Sequence, residues 1–232
     1  VAEFAKKIDA EKMTFSVPCS GEFDFAVWNE NHTAYIKMER TESDEVLYLQ
    51  TKLDKNPVTR FLAFSALFER EMVRLLEDEN ASPSEAFAKE VMRTLKDEEL
   101  MQSCGAMPLL MFESVSDPRF SHSYAKLYSA KQKILRNIAG LFKEELLGLY
   151  AKYAETLPKN GFCPAVLSAQ FKRNAVRNLI LTILAALDSA DVQELISTQY
   201  HTAESATVRL SALSLYLSSS AADRRELLAE EL

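Results

Sequence analysis

Residues 171 to 187 read FKRNAVRNLILTILAAL, and the fold turns on this stretch. In its first half the polar residues Lys172, Arg173, Asn174, Arg177 and Asn178 alternate with Phe171, Ala175, Val176 and Leu179 at helical spacing. From Leu179 to Leu187 only Thr182 is polar. A helix that is apolar on every side belongs in an interior. The pattern predicts a helix whose C-terminal half is covered by other helices. Its first half presents two arginines, Arg173 and Arg177, one turn apart on one face, for which Glu144 and Glu145 of the preceding helix are the candidate acidic partners.

The flanking sequence carries the same period over most of the chain. With 232 residues, 47% of them hydrophobic, the chain can bury a sizeable core. It contains only five glycines, far fewer than the usual share of about 7% would supply, and is rich in Leu, Ala, Glu and Lys, so helix should dominate. The net charge of −7, with Lys and Arg scattered among carboxylates, argues against a nucleic-acid partner. Cys19, Cys104 and Cys163 are odd in number, far apart and outside any C-x-x-C spacing, so neither a disulfide framework nor a zinc knuckle is expected. That usage fits a reducing compartment and a cytoplasmic location. No signal peptide opens the chain, and no uncharged run reaches the roughly 20 apolar residues of a membrane span. The chain begins at Val1 and stops inside the helical pattern DRRELLAEEL, ends expected of a piece of a longer protein.

Residues 1–42 stand apart. Phe23, Phe25 and Val27 alternate with polar or small residues, Asn29-Glu30-Asn31 is turn-like, and Thr33 to Met38 alternates again. A β-hairpin is expected here, with Met13 to Val17 as a third strand. From Ser43 the helical period takes over. Ser43 precedes a first helix through Leu53; Asn56-Pro57 opens a second carrying Phe61, Phe64, Leu67, Met72 and Leu75; Ser82-Pro83-Ser84-Glu85 restarts a third. Asp97 to Cys104 forms a short helix stopped by Gly105 and Pro108, a long one through Ile134, Ile138 and Tyr150 ends near Pro158, and Cys163-Pro164 leads into the central helix. Ala190 to Ile196, Thr202 to Tyr216 and Ala221 to Leu232 complete the series. The expected architecture is mainly α: a superhelix of stacked antiparallel helix pairs with a short N-terminal β segment, divided at 1–42 and 43–232.

Catalytic constellations are missing from the sequence. His32, His122 and His201 stand alone, and no H-E-x-x-H places two imidazoles on one helical face for zinc. Neither a G-x-S-x-G elbow nor a Gly-rich phosphate loop occurs. No catalytic, cofactor-binding or metal-binding residue is assigned.

FKRNAVRNLILTIL followed by STQYHTAESATVRLSALS resembles the aminopeptidase N family of zinc metallo-aminopeptidases, whose C-terminal helical domain carries an R-x-L-R-N-like helix and then a K-Q-F/Y-H-x-A segment. LYLQTKLDKNPVTRFLAFSAL is similar to the stretch that opens that domain: Pro57, Arg60 and Ala63 fit, whereas Phe61 stands where tryptophan is usual. The resemblance runs from about Glu42 to Leu232. It implies that residues 1–42 end a small β-sandwich and that residues 43–232 form the first part of a C-terminal helical domain. It further implies that zinc, the G-A-M-E-N motif and the zinc-binding motif belong to an upstream catalytic domain, so that this chain binds no zinc itself. The parent would remove N-terminal residues from short peptides, the helical domain covering the active site and limiting entry. Arg173, Arg177 and Asn178 would then line the substrate channel or brace the fold. Cys104-Gly105-Ala106-Met107-Pro108 shares three letters with G-A-M-E-N, but proline replaces its glutamate and the match is read as coincidence. The other reading is a free-standing helical-repeat scaffold that binds a protein or peptide in its concave face.

Overall fold

A computed structural model describes residues 14, 16, 21, 22, 24–27, 41–154 and 163–226. Eight α-helices follow in order among them: α1 (Asp44–Leu53), α2 (Pro57–Glu77), α3 (Glu85–Leu95), α4 (Glu98–Cys104), α5 (Tyr124–Lys152), α6 (Pro164–Ala185), α7 (Ala190–Thr202) and α8 (Ala206–Ser218), with a 3-10 turn at Met107–Leu109. The described residues contain no strand. Phe25, Ala26 and Val27, expected in the hairpin, are described and form none; the carbonyl of Ala26 instead accepts a hydrogen bond from the Gln50 side chain on α1 at 3.2 Å. The remainder of the expected hairpin, and Met13 and Val17, lie outside the described residues.

Local chemistry sets where the helices start. At Asn56 the side-chain oxygen accepts from the Val58 amide at 2.9 Å, and Pro57 in the first turn loses no hydrogen bond. Ser84 caps α3 through the Phe87 amide, and Asp97 caps α4 through the Leu100 amide. Ser43 precedes α1 with no such side-chain cap.

Two expected boundaries fall elsewhere. The long helix ends at Lys152, well before Pro158, and it departs from helical dihedrals at Phe142 (φ −130°, ψ 27°). The break expected between Ile196 and Thr202 lies at residues 203–205 instead: α7 runs on to Thr202 and α8 starts at Ala206. Of the last expected helix, residues 224–226 are helical and residues 227–232 lie outside the description.

Pairs α1 with α2, α5 with α6, and α7 with α8 pack most heavily. The middle pair is antiparallel, since Arg136 in the first half of α5 donates to Ala186 beyond the end of α6, while Arg173 in the first half of α6 reaches Lys152 at the end of α5. The core is continuous, built from Phe64, Leu67, Phe68 and Met72 of α2, Phe87, Val91 and Leu95 of α3, Leu127, Ile134 and Ile138 of α5, and the second half of α6. Ile180, Leu181, Ile183 and Leu184 are all fully buried, as a helix apolar on every side requires.

Charged clamps close the corners. Arg60 donates to the carbonyls of Asp54 (2.6 Å) and Lys52 (3.3 Å) at the end of α1 and to the Asp97 carboxylate (3.1 Å) at the start of α4. Glu71, buried on α2, takes a bidentate pair from Arg74 and the Ser84 amide at 2.6 Å, which fixes the entry to α3.

Asp188 fastens the last pair. It holds a left-handed backbone (φ 50°) after α6, and its carboxylate accepts from the Ser220 amide at 3.0 and 3.2 Å and from the Gln193 side chain at 2.9 Å. The Ser220 amide bond outweighs desolvation and holds this carboxyl below the usual aspartate value. A depressed folded-state value stabilises the fold above the unfolded value of about 3.9, and that contribution is lost as pH falls through the folded value. Asp188→Asn is therefore expected to flatten the fall in melting temperature with acidification below about pH 4. Parallel thermal scans between neutral and acid pH check it, and identical slopes for the two proteins would refute it.

Candidate functional site

The polar half of α6 lies against the end of α5. Arg173 donates to the Lys152 carbonyl at 2.9 Å, and its guanidinium stands 5.6 Å from the centre of the Tyr153 ring. A cation on a C-terminal carbonyl also meets the negative end of the helix dipole. One turn on, Arg177 donates to the Tyr150 hydroxyl at 2.9 Å, with its guanidinium 4.4 Å from that ring's centre. Neither arginine pairs with Glu144 or Glu145, the carboxylates of α5 expected as partners; Glu145 is engaged by Lys96. No carboxylate among the described residues forms an ion pair with either one.

From Arg177 a chain of side chains runs inward. The Tyr150 hydroxyl donates to Gln199 Oε1 at 2.6 Å, and Gln199 Nε2 donates to Asn178 Oδ1 at 3.2 Å and to the Val208 carbonyl at 3.5 Å. Asn178 Nδ2 donates in turn to Ser211 Oγ at 3.1 Å. Gln199 is almost wholly buried at 1% exposure, so a missing partner there would be costly. Burial pushes the Tyr150 phenol up, with Arg177 opposing. Four helices, α5 to α8, are thus joined by one polar thread. Arg177 and Asn178 belong to it, and Arg173 sits beside it on the α5 terminus.

Tyr150 and Gln199 were not among the candidate residues. Gln199 lies inside STQYH among Ser197, Thr198 and His201, where nothing marks it for burial; Tyr150 is marked only by its place on the apolar face of α5.

Other features do not assemble chemistry. Gly105, Ala106 and Pro108 are the stop of α4 and the following turn, and Ala106, Pro108 and Leu109 are buried. Among the described residues no group of three or more His, Cys, Asp or Glu side chains is placed to hold a metal ion. The described residues therefore offer no ligand set for a zinc centre. His201 packs edge-on to the Tyr200 ring at 4.9 Å, and His32 lies outside the described residues. An open groove of about 470 Å³ runs along α7, lined by Glu194, Thr198, His201, Tyr216 and Asp223 among others. No described helix is long and apolar enough to cross a membrane.

Comparison with known proteins gives two positive results. No curated protein matches the chain. Among solved structures, Legionella pneumophila aminopeptidase A, determined in complex with aspartic acid, has the same fold with a TM-score of 0.67 and 16% sequence identity. The match covers 88% of this chain and 24% of the Legionella chain, so this chain spans about a quarter of that protein's length. Residues 44–231 match the family described as DUF3458_C, a domain of unknown function with ARM repeats. The match takes in all eight helices and the polar thread between α5 and α8. The chain belongs to this family, the C-terminal ARM-like domain of aminopeptidase N-type proteins.

Proposed function

We propose that the chain is a non-catalytic part of a zinc metallo-aminopeptidase, a helical domain that covers the active site of an upstream catalytic domain and restricts entry to short peptides. The observation that carries this reading is the family match over residues 44–231, and the fold shared with an aminopeptidase supports it. In the parent, zinc would activate water and polarise the scissile carbonyl. That metal is assigned to the upstream domain, because the described residues offer no cluster of ligands for it. Arg173, Arg177 and Asn178 are read as braces of the domain rather than as channel lining, since each is engaged by α5, α7 or α8. A cytoplasmic location is read for the parent from the three dispersed cysteines of this chain.

The test uses both the fragment and the parent. The purified 232-residue chain is expected to hold no stoichiometric zinc after dialysis and to hydrolyse no aminoacyl-amide substrate. One tightly held zinc per chain, or measurable turnover, would overturn the assignment. The complete reading frame should encode H-E-x-x-H and a distant glutamate upstream of Val1. The full-length enzyme should cleave short peptides in preference to long ones.

A further inference from the structure

Apolar burial alone does not choose how α8 faces its neighbours. Its sequence, ATVRLSALSLYLS, places Val208, Ala212, Leu215 and, at the edge, Tyr216 on one side and Leu210, Leu213 and Leu217 on the other. On the first side Val208 and Ala212 are fully buried and Tyr216 is 5% exposed, while on the other Leu210 is 63% exposed and Leu213 packs only partly against the core. Burial of apolar area at roughly 25 cal/mol per Å² rewards the two sides to a similar extent. Apolar area alone leaves the choice of face open. The three-residue connection 203–205 joins α7 to α8 but does not fix a rotation about the α8 axis.

We infer that the buried polar thread sets the rotation of α8. Its two terminal bonds, Asn178 to Ser211 Oγ and Gln199 to the Val208 carbonyl, are made to the side of α8 that is buried. Turning α8 by half a revolution would carry Ser211 away from the half-buried Asn178 and leave the buried Gln199 amide with an unmet donor, which costs more than a bond of ordinary net strength returns. Tyr150 prevents the glutamine from answering by a flip, because its hydroxyl donates to Gln199 Oε1 and itself accepts from Arg177. The donor end of the amide is thereby aimed at α6 and α8. The bonds from Tyr216 to Asp223 and from Arg209 to Ala203 are local to α8 and its flanks and do not orient it on α6. Buried polar groups in this role specify one arrangement among several that an apolar interior would accept.

Thiol labelling of the full 232-residue chain tests the inference. With Cys19, Cys104 and Cys163 replaced by serine, Leu210→Cys and Ala212→Cys are introduced one at a time and their reaction rates with a maleimide compared. The native thread should give a rate ratio of about 100 or more in favour of position 210. Adding Asn178→Leu with Gln199→Met, which removes the polar demand, should lower that ratio at least about tenfold while the circular dichroism of the helices is kept. An unchanged ratio overturns the inference. Should the double variant lose its helical signal, Asn178→Leu alone, which leaves the Tyr150 to Gln199 bond in place, must show the same fall. Loss of helix in that variant too would overturn the inference, because the thread would then be needed for folding itself and not for orientation.

Discussion

Replacing Phe87 by alanine is expected to lower the free energy of unfolding by about 3 to 5 kcal/mol, the usual range for a buried phenylalanine. Phe87 is 2% exposed, and its ring stacks on Phe64 at 5.3 Å and meets Phe68 at 6.0 Å. All three rings lie where α3 meets α2, and α3 has only 11 residues to hold it there. The cost should sit near the top of the range, because Phe64 and Phe68 are themselves wedged in the core and cannot slide into the space left behind. Urea titration of the two proteins measures it. The midpoint should fall at an unchanged slope, and a loss below about 1 kcal/mol would show that the site collapses around the smaller side chain.

Gly105→Ala is expected to cost about 2 to 4 kcal/mol, from strain and contact together. Gly105 ends α4 with φ 64° and ψ −142°, a region that side-chain-bearing residues rarely enter. A Cβ at this position would also stand 3.2 Å from the Cα of Lys172 and 3.3 Å from its carbonyl oxygen. These are backbone atoms of α6 and cannot swing aside as a side-chain tip would. The two helices would have to separate slightly, at the point where α4 rests on the central helix. Gly140 makes the natural comparison, since nothing lies within 4 Å of the corresponding Cβ and its helix would gain from alanine. Gly140→Ala should be neutral or stabilising in the same melting assay. Equal effects at the two glycines would refute the steric account.

The central helix was legible because its own residues decide it: an apolar run closed on all sides has only an interior to go to. The starts at Asn56 and Ser84 were legible for the same reason, each being a bond between neighbours in sequence. The turn at residues 203–205 was not, because no glycine or proline interrupts His201 to Ala206 and the helical period carries across it. Nor was the departure at Phe142, which has no proline beside it. The arginines show the limit most clearly. Their spacing announced a shared face and a need for partners. Sequence proximity suggested Glu144 and Glu145, while the pairing of α5 with α6 brings the carbonyl of Lys152 and the ring of Tyr150 there instead. Side chains that meet across helices are chosen by packing, and one chain read along its length holds no record of that choice.

The break at Phe142 bears on which insertions and deletions this chain can accept. Before it, Lys126 and Lys133 of α5 reach Glu79 beyond the end of α2; after it, Lys143 reaches Asp191 on α7 and Tyr150 reaches Gln199. One helix thus serves two sets of neighbours, with a change of heading between them. A residue added or removed between Phe142 and Tyr150 would swing the hydroxyl of Tyr150 by about 100° around the helix. The same change in the segment from Leu110 to Ser123 would move no helical face. Length drift among relatives should therefore gather in that connecting segment, while the eight-residue step from Phe142 to Tyr150 stays constant even where its letters do not.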